Sequence, residues 1–338
     1  MTIETQRTIL RPWRAEDAED LYACAADERV GLAADWPPHR SVEESRAVIR
    51  DVFSAPETWA VVLRATGRPA GCVGLLSGGA GHVPLADDEA EAGYWIGVPW
   101  WGQGLIPEAL EALLRHAFDD LGLSAVYCCS FPENAASQRV QEKCGFRFLR
   151  TETGADGRAF RVAKLTRAEA QRRRLTLRRA DERDIPLLRR MADEAFRATY
   201  REIISAEQID YMMEWMYARE TLERELRAGF VWLVACRDGV PCGYLSVERQ
   251  EEALFHLQKI YVLPRFQGCG VGSFLFEAAV EYVRRTHPGG SRMELNVNRS
   301  NRALGFYRRM GMRCLREGDF PIGGGYFMND YIMGVDLD

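Results

Sequence analysis

Residues 100–110 read W-W-G-Q-G-L-I-P-E-A-L, and residues 265–275 read R-F-Q-G-C-G-V-G-S-F-L. Each stretch follows a short β-rich segment and runs directly into an amphipathic helical pattern. A glycine-dense turn feeding a helix N-terminus forms a backbone anion cradle. Its N–H groups converge, the helix dipole adds partial positive charge, and the absent Cβ atoms let a diphosphate come close. One such loop is a weak signal. Two in register with other repeated features are a strong one, because the coincidence must then recur.

The register extends through the chain. Gly104 and Gly270 lie 166 residues apart, as do Gly145 of K-C-G-F and Gly311 of R-M-G-M. Near the start of each half, Leu10-Arg11 and Leu177-Arg178 lie 167 apart, and each arginine is followed six residues later by an acid, Asp17 or Asp184. A period this long marks a duplicated domain rather than a solenoid unit. The expected organisation is a first domain over residues 1–165, a linker over 166–174 and a second domain over 175–338.

Each half carries the same predicted elements. A first strand (8–12; 175–179) precedes a helix (15–26; 184–196) and a second helical region (42–53; 206–227). Two alternating apolar segments split by a turn follow, at 59–76 and 231–247, where T-G-R-P and R-D-G-V-P punctuate hairpins. A further strand precedes each glycine loop (91–98; 254–262). The helix after the first loop sets Leu110, Leu113, Leu114, Ala117, Phe118 and Leu121 on one face, and the second sets Leu275, Ala279, Val280 and Val283 likewise. A last strand group lies at 125–130 and 292–297.

At 338 residues, each half is long enough to bury its own core. With 47% apolar and 28% charged residues and a net charge of −5, the chain has globular composition and no nucleic-acid-binding charge. It has no run long enough to span a membrane, and its first residues lack the apolar core of a signal peptide. Nine cysteines without a C-x-x-C pair suit thiols in a reducing cytoplasm, and the five histidines show no ligand spacing, so no metal is expected. Arg172, Arg173, Arg174, Arg178 and Arg179 read as a solvated basic junction.

The element order, with Q-G-C-G-V-G at 267–272, I-Y-V-L-P before it and N-R-A-L-G-F-Y-R-R-M-G-M at 301–312, resembles the GNAT superfamily of acetyl-CoA-dependent N-acetyltransferases. The first half resembles its Rim-type branch, through E-A-G-Y-W-I-G at 91–97, W-G-Q-G-L at 101–105 and N-A-A-S-Q-R-V-Q-E-K-C-G-F at 134–146. The resemblance implies an α+β (α/β sandwich) chain of two domains, each a twisted mixed β-sheet flanked by helices. The two middle strands of each sheet would splay, so that the pantetheine arm adds like a strand and the diphosphate rests on the loop. The implied cofactor contacts are Ile260, Tyr261, Val262, Gln267, Gly268, Cys269, Gly270, Val271, Gly272 and Asn301 in the second half. In the first they are Ile96, Val98, Trp101, Gly102, Gln103, Gly104 and Asn134.

The implied chemistry is direct attack of a primary amine on the thioester, with a base for the amine proton, an acid for the departing thiolate and backbone N–H on the oxyanion. Tyr307 is the acid candidate of the second half; Gln141, one period earlier, cannot play that part, and the Rim-like pattern points to Ser137 instead. Tyr307 reads also as a core aromatic, but the flanking motif favours the acid, whereas Ser137 reads equally as a helix-face residue. Base candidates are Glu91 and His256, with Glu294 on the next strand, and each reads also as a paired or solvated side chain. Ile106 is bulkier than the small residue the loop normally carries, whereas Pro107 suits a first helical turn. The expected protein is a cytoplasmic acetyltransferase, a monomer or homodimer, acting on a small-molecule or peptide amine with the second half as its main catalytic unit. The alternative is an acyl-CoA-binding regulatory protein with one or both halves inactive, which the altered first loop and Gln141 favour.

Overall fold

The computed structural model describes residues 1–34, 36–154 and 156–338. The chain divides into two compact units, Met1–Ala170 and Gln171–Asp338. The first holds strands β1 (Ile3–Glu4), β2 (Thr8–Pro12), β3 (Thr58–Leu63), β4 (Pro69–Leu76), β5 (Glu89–Ile96), β6 (Ala125–Ser130), β7 (Arg147–Thr153) and β8 (Ala159–Thr166). Its helices are α1 (Ala18–Ala25), α2 (Glu28–Ala34), α3 (Val42–Asp51), α4 (Leu105–Arg115) and α5 (Ala135–Lys143). Helix α6 (Arg167–Arg173) occupies the stretch read as a linker, and Arg172 and Arg174 there are ion-paired to Glu277 and Asp238.

The second unit repeats the plan. It has β9 (Leu175–Arg179), β10 (Val231–Arg237), β11 (Val240–Arg249), β12 (Leu254–Val262), β13 (Ser291–Asn298), β14 (Arg313–Gly323) and β15 (Tyr326–Leu337). Its helices are α7 (Ile185–Tyr200), α8 (Ala206–Tyr217), α9 (Arg219–Arg227), α10 (Val271–Thr286) and α11 (Leu304–Arg309). The helical region over 206–227 is made of two helices, because Ala218 adopts extended ψ and ends α8.

Strand order is β1-β2-β3-β4-β5-β6-β8-β7 in one sheet and β14-β15-β13-β12-β11-β10-β9 in the other. Among the described residues every pairing is antiparallel except β5 with β6 and β12 with β13, the two joined through helices α4 and α10. Period-2 alternation then sorts the core onto both faces. Val61 and Val73 pack with Leu110 and Leu113 of α4, while Ala60, Val62 and Cys72 pack with Leu21 and Ile49 on the opposite face. In the second unit Leu245, Phe255 and Leu257 meet Leu275 and Ala279 of α10, and Trp232, Val234 and Tyr244 meet Phe196 and Met212. Leu121, expected on the buried face of α4, is 42% exposed, because the helix closes in a wide turn over His116–Asp120 that rotates it outward.

The repeated arginine–acid spacing has a physical meaning. Arg11 clamps Asp17 through two bonds of 2.6 and 2.8 Å, and Arg178 clamps Asp184 through two of 2.8 and 2.7 Å. Asp17 also accepts from the Arg14 amide, and Asp184 from the Asp181 amide, so each acid ties its first strand to the turn that starts the next helix. Among the described residues, no helix is long and apolar enough to cross a membrane.

Candidate functional site

In both units the parallel strand pair stops early. β5 and β6 pair only at Glu89–Ala125, Ala90–Val126 and Glu91–Tyr127, yet β5 runs on to Ile96 and β6 to Ser130. β12 and β13 pair only at Leu254–Arg292, Phe255–Met293 and His256–Glu294, yet extend to Val262 and Asn298. Three rungs followed by divergence leave facing strand edges without partners in each other. An open edge of this kind accepts an extended ligand by backbone pairing. In the second unit β12 also bulges: Ser246 faces Lys259 and Val247 faces Leu257, leaving Gln258 as an extra residue. Leu257 therefore lies beneath α10, whereas Lys259 and Tyr261 turn toward the other core. β5 runs against β4 from Glu91 to Ile96 without interruption.

The glycine loop closes each fork. Gly102 and Gly104 have φ of +74°, Gly268 has +76° and Gly270 +78°, and Gly104 and Gly270 immediately precede α4 and α10. Left-handed backbone at alternate positions turns successive N–H groups toward one concavity, and only glycine adopts it without strain. Trp101 and Gln267, unlike in chemistry, make the same brace. The Trp101 indole N–H donates to the Ile96 carbonyl at 2.8 Å, and the Gln267 amide donates to the Val262 carbonyl at 3.3 Å. Those two carbonyls, among the expected cofactor contacts, are thus already engaged. Ile106 is buried in the core under the sheet, so its bulk points away from the cradle. Arg7 donates to the carbonyls of Gln103 and Gly104 at 2.8 and 3.1 Å and is held by Glu108, which places a guanidinium beside the first loop. Val98 begins the short turn before that loop, and Cys269 is half-buried within the second.

In the second unit Tyr307 lies on α11, 7% exposed, with its ring against Phe306. Burial, with a lesser push from neighbouring Tyr200, raises its phenol well above the ordinary tyrosine range, so it stays protonated and able to donate. Asn301 caps the turn before α11, its Oδ1 accepting from the Ala303 amide at 2.8 Å. His256 stands at the last paired rung, opposite Glu294. Burial pushes its imidazole down to about 4, against an opposing pull from Glu248. Because the folded state binds this proton less readily than the unfolded chain, His256 adds stability that is present above the unfolded value near 6.5. That stability is lost as pH falls toward 4. A histidine NMR titration should accordingly place the His256 inflection near 4; one at 6.5 would show that the ring is solvated.

The first unit is built differently at the same places. Tyr94 of β5 shares a 2.9 Å hydrogen bond with Ser137 Oγ on α5, and the Gln141 amide donates to the same oxygen at 3.4 Å. Burial raises the Tyr94 phenol far above its usual range. Asn134 caps α5, accepting from the Ser137 amide at 3.0 Å and donating to the Ala33 carbonyl at 3.3 Å. Its side chain is therefore a brace between α2 and α5, with both amide atoms engaged. Glu91, 3% exposed, accepts from the His82 backbone and imidazole, both at 2.7 Å. A cleft of about 390 Å³ opens nearby on α2, lined by Glu28, Trp36, Pro37, Pro38 and Arg158 among others. His82 and Tyr200 escape a reading based on spacing because they come from a loop and a helix end with no motif of their own, and Tyr94, though inside E-A-G-Y-W-I-G, gains a role only through its contact with Ser137.

A family model described as "Acetyltransferase (GNAT) domain" matches residues 7–147, and one described as "Acetyltransferase (GNAT) family" matches residues 190–312. The uncharacterized N-acetyltransferase YoaA of Bacillus subtilis is 28% identical over 149 residues, covering 43% of this chain and 81% of YoaA. Among solved structures, PaiA N-acetyltransferase from Thermoplasma acidophilum, in complex with coenzyme A, aligns with 47% of this chain and 97% of its own (22% identity, TM-score 0.41). Mycobacterium smegmatis RimJ in complex with CoA-disulfide aligns with 49% of this chain and 87% of its own (22% identity, TM-score 0.40).

Proposed function

Since the chain belongs, in both halves, to the GNAT superfamily of acetyltransferases, we propose that it transfers the acetyl group of acetyl-CoA to a primary amine by direct attack, chiefly in its second half. The observation that carries this reading is the second fork, β12 against β13, with a glycine cradle at its end and a buried, protonated phenol, Tyr307, on the helix that follows. The amine nitrogen bonds to the acetyl carbon as the carbon–sulfur bond breaks, and Tyr307 gives its proton to the leaving thiolate. His256, neutral at physiological pH, is the proposed acceptor of the amine proton, directly or through water. Orientation of the two reactants in the fork supplies much of the remaining acceleration.

A second reading has its own support. Tyr94 with Ser137 and the buried Glu91 make an acid–base set for the first half, which would then take a separate acceptor. Release of free thiol from acetyl-CoA, screened over a panel of small amines and peptide N-termini, decides both questions when repeated with Gly104→Asp and Gly270→Asp. Gly270→Asp should remove most of the activity and Gly104→Asp little. The reverse pattern would transfer the main catalytic role to the first half, and no thiol release with any amine would leave acyl-CoA binding as the function.

A further inference from the structure

His82, Glu91 and Cys129 come from a loop, from β5 and from β6, yet their donor atoms all lie within 4.8 Å of one another. We propose that they form a binding site for a borderline-soft divalent cation of the zinc class, a role for Glu91 that competes with its use as a base in the first half.

An imidazole, a carboxylate and a thiol are the three side-chain donors that tetrahedral zinc uses, at about 2.0–2.3 Å each, with a water in the fourth position. Glu91 is the fixed member. Its carboxylate is buried on the rigid last rung of the β5–β6 pair, and among the described residues no lysine or arginine bonds to it. Its two oxygens already accept from the His82 amide and imidazole, and a cation would take the place of the imidazole proton as counter-charge. Gly81 leaves the space the loop needs to wrap it, since a Cβ there would come within 2.7 Å of Glu91 Oε2. Cys129 lies two residues beyond Tyr127, the partner of Glu91, and so on the same face of the sheet. Glu152 on β7 adds a second negative charge acting on that thiol. His82 is the adjustable member. Its side chain is 53% exposed and its ring rests on Phe160, so solvent and ion can reach it.

The hydrogen-bonded His82–Glu91 separation of 2.7 Å must open to roughly 3.4–3.7 Å for tetrahedral ligation. That shift is about an ångström at most, on the half-exposed loop residue. On binding, the Cys129 proton passes to solvent, the ring proton of His82 moves from Nδ1 to Nε2, and three lone pairs go to the ion. The chain spacing hides the site, because its ligands are 9 and 38 residues apart and meet only through the parallel strand pair.

Cobalt(II) is the probe. The full chain, stripped of metal, should take up one equivalent of Co²⁺ with a thiolate-to-cobalt charge-transfer absorption in the near ultraviolet, and Zn²⁺ should displace it. Cys129→Ser should abolish the band, and His82→Ala should weaken uptake ~10-fold or more, in variants whose circular dichroism matches the parent. Absence of the band in the parent chain, or an undiminished band in Cys129→Ser, which keeps the other eight cysteines, overturns the proposal. Neither result depends on whether the protein acetylates an amine.

Discussion

Gly270→Asp should weaken acetyl-CoA binding to the second half about 100-fold or more while the domain stays folded. Gly270 has φ of +78° and nothing within 4 Å of where a Cβ would stand, so the new side chain meets no steric obstacle. Left-handed backbone costs an aspartate about 1 kcal/mol, little enough for a packed domain to absorb. The loss falls on the ligand instead. A carboxylate placed ~5 Å from a diphosphate, in surroundings of effective dielectric ~20–40, repels it by roughly 3 kcal/mol or more, which is about two decades in Kd. Calorimetry with acetyl-CoA measures this directly. Two controls separate charge from shape: Gly270→Asn should retain most of the affinity, and added salt should recover part of the Asp loss. Undiminished affinity in a folded Gly270→Asp protein would show that the cradle at residues 267–272 holds no diphosphate.

Tyr307→Phe should lower kcat by about 100-fold, with the KM for acetyl-CoA little changed. The ring keeps its packing against Phe306 in the core that α11 shares with α10, and only the hydroxyl is removed. Positioned acids contribute ~10²–10⁴-fold. The lower end applies because a thiol of pKa ~8.5 is already a fair leaving group. Single-turnover kinetics with acetyl-CoA saturating isolates the chemical step. A rate within twofold of the parent would make Tyr307 a packing residue and leave the thiolate to depart unaided.

Much of this architecture was legible in the chain. The duplication follows from subtraction alone, since Gly104 and Gly270, or Arg11 and Arg178, recur at nearly one period. Glycine loops are readable because left-handed backbone demands glycine, and the arginine–acid spacing because it reports a strand-to-helix clamp that each copy needs. Local chemistry leaves local marks.

Other features were decided only when distant segments met. That β5 and β6, like β12 and β13, part after three rungs is a property of two strands and their twist, which neither strand's residues encode alone. Trp101 and Gln267 proved equivalent because each donates to a carbonyl five residues back, a likeness of position that residue identity conceals. Ile106, bulky for its place in the loop, is harmless because the first turn of α4 aims it into the core. Tyr94 with Ser137, and His82 with Glu91 and Cys129, were invisible for the same reason. The chain by itself determined which segments repeat, where the backbone must turn and which groups can give or take a proton, since those depend on residue type and short-range sterics. Tertiary structure decided which of these groups share a cavity, how far burial shifts them and which are already engaged, since these depend on contacts between residues far apart in sequence.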